Sequence, residues 1–103
     1  MSTNVLHKKM TNPVISNVCI PRMETSISYR YIHQILLKLN IGKINKITEI
    51  PLKNETDFKR VMITIQWHQY NPRSIFVQKR LCDGKNIKIV YDSPWYWKMV
   101  AGR

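Results

Sequence analysis

The sequence predicts an α+β domain in two layers, a four-stranded antiparallel sheet with two helices on one face. Three observations lead there. Residues 60–67 alternate strictly, with Val61, Ile63, Ile65 and Trp67 on one side and Arg60, Met62, Thr64 and Gln66 on the other. Such alternation marks a strand with one buried and one wetted face. Two helical stretches with recognisable caps lie before and after it. Their order among the apolar strand-like runs is strand, helix, strand, strand, helix, strand. At 103 residues the chain is long enough for one domain and no more.

Each element follows in turn. Residues 1–16 are polar, carry Lys8, Lys9 and Pro13, and show no sustained period. They read as a flexible basic arm, so folded structure is expected from Asn17. Val18–Met23 reads as a short strand with Val18 and Ile20 on one face, and Pro21 belongs where no N–H is needed. Ser28 is placed to cap a helix over 28–40, with Ile27 and Ile32 as a hydrophobic staple. Ile32, Ile35, Leu36 and Leu39 recur at helical spacing and form its buried stripe. Asn40 and Gly42 supply the stop.

Lys43–Ile50 is rich in Ile and Thr and reads as the second strand. Its facing is ambiguous, because Ile44, Ile47 and Ile50 do not alternate. Pro51–Phe58 reads as a polar loop before the strand at 60–67. Asn71 then caps a second helix, with Pro72 at its first position, running to about Cys82 and ending at Asp83-Gly84. Its apolar residues form no single stripe, so Ile75 or Phe76 is left facing outward. Asn86–Asp92 reads as the last strand, broken by Ser93-Pro94. Trp95-Tyr96-Trp97-Lys98 then closes a domain over 17–98, with 99–103 as a short tail.

This order is the split βαβ of ferredoxin-like sandwiches. About 75 residues separate Asn17 from Asp92, a fitting size. The residues also resemble the RNA recognition motif. Val18, Ile20 and Met23 match the core positions of its first-strand signature. Gly42-Lys43-Ile44 with Ile47 resembles its turn into the second strand, and Leu81 to Gly84 resembles the close of its second helix. The run Tyr91-Asp92-Ser93-Pro94-Trp95-Tyr96-Trp97 is similar to the ending of small motif proteins encoded by large double-stranded DNA viruses. The resemblance implies RNA or single-stranded DNA as partner, and an intracellular setting (host cytoplasm, viral factory or virion). It also implies bases stacked on aromatic rings of the first and third strands. Those positions here are Cys19, and Met62 with Thr64 or Arg60, none of them aromatic. Degenerate members of the family bind proteins instead, so a protein-interaction or structural module of a viral assembly, with a protein partner or self-association, is the alternative.

Charge supports a polyanionic partner. Lys and Arg number 17 against 6 Asp and Glu, a formal net charge of +11. A competing source of the lysines is codon usage, since 14 Ile, 11 Lys and 8 Asn all have A/T-rich codons. Arg60 and Lys88 are expected on the open sheet face, Arg22 near its edge, and Lys53 and Lys59 around the loop between strands two and three. With Met62, Lys98, Trp95 and Trp97 they form the candidate nucleic-acid surface. Contacts of this kind go to phosphates and carry little sequence information.

Trp95-Tyr96-Trp97 has three readings. The segment folds back over the vacant sheet face, on Met62, Val90 and Cys19, or otherwise packs into the core. Alternatively Trp95 and Trp97 replace the missing stacking platforms. In the third reading Trp95, Tyr96 and Trp97, with Ile75 and Phe76, dock against a protein.

Catalysis is not expected. His7, His33 and His68 share no metal spacing with Cys19 and Cys82. No third group orients Cys19 and His33, and no carboxylate pair or Gly-rich phosphate loop is present. No metal, cofactor or small-molecule substrate is expected. No apolar run reaches the roughly 18 residues of a membrane helix, and Met1 to Lys9 does not read as a secretory signal.

Overall fold

In the computed structural model, which describes residues 14–102, the chain forms two helices and one five-stranded antiparallel sheet. The elements are β1 (Ile15–Glu24), α1 (Tyr29–Leu39), β2 (Gly42–Pro51), β3 (Phe58–Trp67), α2 (Pro72–Cys82), β4 (Ile87–Asp92) and β5 (Trp95–Ala101). The strand order is β2-β3-β1-β5-β4. Residues 1–13 of the expected arm lie outside the described residues. Its last positions, Ile15 and Ser16, already belong to β1 and pair with Gln66 and Ile65.

Most elements form for the reasons their sequences suggest. The Ser28 hydroxyl accepts a hydrogen bond from the Tyr31 amide at 3.1 Å and caps α1. Asn40 ends the helix in the left-handed region, φ 52°, and its amide donates to the Leu37 carbonyl. Asn71 caps α2 by accepting from the Arg73 amide, with Pro72 in the first turn. The same Asn71 donates through Nδ2 to the Asn40 carbonyl, and Arg73 donates to the Leu39 carbonyl, tying the start of α2 to the end of α1. Gly84 takes φ 79° just past α2, a conformation open to glycine.

The ambiguous facing of β2 has a physical answer. Ile44 pairs with Ile65, yet Lys46 pairs with Thr64, so a bulge at Asn45 absorbs one residue. Ile44 and Ile47 therefore both turn inward, although three residues separate them. Ile50 falls on the opposite face, beside Arg60.

The sheet has five strands where four were expected. The run at 86–92 is not the strand beside β1; it is an edge strand. The position next to β1 is taken by β5, through Val18–Ala101 and Cys19–Val100 pairs. Residues 99–101 of the expected tail are thus part of the sheet. Met99 is fully buried, and the Gly102 amide donates to the Asn17 carbonyl at 2.8 Å. Ser93-Pro94, taken as a strand breaker, is the turn of the β4–β5 hairpin.

One apolar core joins both helices to one side of the sheet. It contains Ile20 and Met23 of β1, Ile32 and Leu36 of α1, and Val61, Ile63 and Ile65 of β3. Val77 and Leu81 come from α2, Ile89 from β4, and Trp97 and Met99 from β5. Burying each such side chain is worth roughly 1.5–3 kcal/mol, so this face dominates the stability of the fold. No described helix is long and apolar enough to cross a membrane.

Candidate nucleic-acid interface

Among the described residues, the second face of the sheet carries no helix. Cross-strand register fixes which residues share it, because side chains opposite each other point the same way. Cys19 lies between Met62 of β3 and Val100 of β5, and Met62 lies beside Thr48 of β2. Thr64 stands between Asn17 and Lys46, and Gln66 beside Lys43. Arg60 adjoins Ile50, Lys88 pairs with Lys98, and Val90 with Tyr96. The centre of this face is thus a short row of small or flexible side chains, Val100, Cys19 and Met62. Lysines and one arginine surround it.

The electrostatics are one-sided. None of the open-face positions just named is acidic. Three acids are engaged elsewhere: Glu49 with Lys59, Glu55 with Arg22 at 3.2 Å, and Asp83 with Lys79 at 3.9 Å. Among the described residues, Lys43, Lys46, Arg60, Lys88 and Lys98 form no ion pair, and all five are exposed. Lys88 sits 4.9 Å from the Tyr96 ring centroid, a cation–π contact on the open face.

Not every expected contact residue is available. Lys59 was expected to flank a loop and grip a backbone. It is a strand residue, 6% exposed, with its ammonium donating to the Glu49 carboxylate and to the Ile27 carbonyl at 2.5 Å. Its parity with Val61 turns it to the helix side of the sheet. Lys53 is exposed in the turn before β3. Arg22 lies over the Phe58 ring at 3.6 Å and is held by Glu55, so it is ordered but partly neutralised.

The aromatic run divides. Trp97 is 4% exposed and stacks on Tyr91, so it is a core residue and no stacking platform. The segment does not fold over Met62 and Cys19, because it is itself a strand. Trp95 is 64% exposed at the hairpin turn, and Tyr96, 41% exposed, faces the open side. No protein-family model, curated protein or solved structure gives a significant match to this chain. The site therefore stands on its own geometry.

Tyr96 beside Lys88 was missed as part of this surface. Its signal lay in the alternation of Trp97 and Met99 against Tyr96, Lys98 and Val100, readable as a strand once Ser93-Pro94 is taken as a turn. Two groups titrate abnormally. Burial pushes the Cys19 thiol up, and the nearby Arg60 charge opposes that shift. Burial also raises the Tyr91 phenol, with Glu24, Tyr31 and Asp92 adding to it. Among the described residues, no three His, Cys, Asp or Glu side chains gather into a group able to hold a metal ion.

Ile75 and Phe76 both face outward from α2, 50% and 61% exposed.

Proposed function

We propose that this chain is a nucleic-acid-binding module that takes RNA or single-stranded DNA along the open face of its sheet. The observation that carries the reading is the set of five exposed cations, none in an ion pair among the described residues, around the central row of Val100, Cys19 and Met62. Lys43, Lys46, Arg60, Lys88 and Lys98 are spread over β2, β3, β4 and β5, so an extended polyanion lying across the strands meets several at once. Each neutralised phosphate releases counterions, which is the main source of sequence-independent affinity. The central row of Val100, Cys19 and Met62 offers no ring for a base, so contacts there are to the backbone and tolerant of sequence.

The element order agrees with a ferredoxin-like sandwich in which β5 fills the place beside β1 and β4 is an added edge strand. On that reading the chain is a degenerate relative of the RNA recognition motif. The test is fluorescence anisotropy of a labelled single-stranded oligonucleotide against the full chain, titrated with salt. Log affinity should fall linearly with log salt. Arg60→Ala and Lys98→Ala should each reduce the slope by about 0.7, the value for one lost phosphate contact on a single strand. Absence of binding at low salt overturns the proposal.

A second reading has its own observation. Ile75 and Phe76 place two adjacent large apolar side chains in water on the helix side, the pattern of a protein contact. If Ile75→Ser with Phe76→Ser leaves oligonucleotide affinity unchanged but abolishes association with another chain, that surface serves a protein.

A further inference from the structure

β1 and β5 are hydrogen-bonded neighbours only at one end. Their pairing covers Val18–Ala101 and Cys19–Val100 and goes no further, although β1 runs on to Glu24 and β5 begins at Trp95. Pro21 lies just past the last pair and has no N–H to extend the ladder. Beyond it the strands part and leave a groove of about 790 Å³ at that end of the sheet. Its walls include Arg22, Glu24, Phe58, Asp92, Trp95 and Lys98. Pockets for small organic ligands run from roughly 300 to 1,000 Å³, so the groove has room for a base with its sugar and to spare.

The chemistry of the walls narrows the occupant. Trp95 is a large ring left mostly in water, and the Arg22 guanidinium sits over the Phe58 ring with its carbon 3.6 Å from the centroid, held by Glu55. Both planes can stack a base. Glu24 and Asp92 bring two carboxylates, which accept hydrogen bonds and donate none. Arg22 is already paired with Glu55, so the two carboxylates leave the groove without the positive excess of the cationic face that adjoins it. A neutral ring therefore belongs in the groove and phosphates belong outside it, along Lys98, Lys88 and Arg60.

We infer that the groove takes one unstacked nucleobase of the bound strand and prefers guanine. Guanine presents two adjacent donors, N1–H and N2–H, on its pairing edge, which match a carboxylate. Uracil and thymine present one donor between two carbonyl oxygens, and those oxygens meet the carboxylates unfavourably. The inference rests on the proposed single-strand binding and adds a base preference to it.

The test compares two labelled octanucleotides, all-uridine and the same strand with one central guanosine, against the full chain. A good paired contact discriminates bases by roughly five- to 150-fold, so the guanosine strand should bind tighter within that range. Trp95→Ala should remove most of the gain, and Trp95→Phe, which keeps a ring, should retain part of it. Glu24→Gln with Asp92→Asn should erase the difference and raise the all-uridine affinity, because the uracil oxygens and the phosphates lose two opposing charges. Thermal melting of each variant checks folding. Equal binding of both strands by the unaltered chain overturns the groove assignment and leaves the cationic face standing. So does a guanosine gain that survives Trp95→Ala. Absence of binding by either strand at low salt removes both readings.

Discussion

Tyr91 of β4 and Trp97 of β5 stack with ring centroids 4.6 Å apart and planes inclined by 19°. Tyr31 of α1 meets both rings edge-on, at 6.3 and 6.4 Å, and its hydroxyl donates to the Tyr91 carbonyl. Three rings from three elements thus lock the β4–β5 hairpin against α1. They also place the two neighbours of Trp97 in the chain, Tyr96 and Lys98, on the open face.

Trp97 should accordingly be a stability residue. Trp97→Ala empties the centre of the cluster and should cost about 3–5 kcal/mol. Trp95→Ala, at a site in water, should stay within about 0.5 kcal/mol. Urea denaturation of the two variants checks this. Equal losses would mean that the two indoles do not differ in burial.

Lys59 should matter for folding and not for binding. Its side chain is 8% exposed, and the ammonium lies between Glu49 and the Ile27 carbonyl. Removing the Glu49 carboxylate by Glu49→Ala leaves a buried donor short of one partner, a loss of about 1–3 kcal/mol. Replacing the lysine with methionine, which keeps the aliphatic stem, should leave the salt slope of oligonucleotide binding unchanged. A slope that falls as it does for Arg60→Ala would put Lys59 on the binding face.

The two cysteines should react at different rates. Cys19 is 8% exposed at the centre of the open face, and its thiol is raised by burial. Cys82 is exposed at the last position of α2. At mildly alkaline pH a thiol-directed maleimide should modify Cys82 first, and peptide mass spectrometry reads the order. The raised thiol also sets a sign for stability. Folding holds the Cys19 proton more tightly than the unfolded chain does. Its contribution is therefore complete below the ordinary value of 9.0 and is lost as pH rises through the folded value. Tyr91 acts in the same direction from its ordinary value of 10.0. Stability should hold near neutral pH and decline above about pH 9. Bound oligonucleotide should slow labelling of Cys19 and leave Cys82 unaffected.

Much of this was legible along the chain because it depends on local chemistry. Ser28, Asn40, Asn71 and Pro72 state the helix ends through bonds spanning two or three residues. The alternation of 60–67 names the buried side of β3 without reference to any other strand. The cations Arg60 and Lys88 were assigned to the open face by that same parity. Lys59 stands just ahead of the alternating run at 60–67, beside the stretch that reads as loop. The strand starts at Phe58, so the lysine falls on the inner side, and only its tertiary neighbours Glu49 and Ile27 make that position tolerable.

Two helices, their caps, the buried face of β3 and the excess of positive charge can all be read along the chain. Those follow from backbone geometry and side-chain periodicity, which act over a few residues. The tertiary structure alone decided which strand stands beside β1. Both 86–92 and 95–101 are able to be strands, and the choice turns on burial. Both inward residues of β5, Trp97 and Met99, are buried, whereas β4 buries Ile89 and leaves Ile87 and Tyr91 partly exposed. The second strand of the hairpin therefore takes the inner place and the first is left at the edge. That choice sends Trp97 inward, leaves Trp95 at the rim and opens the groove where β1 and β5 part.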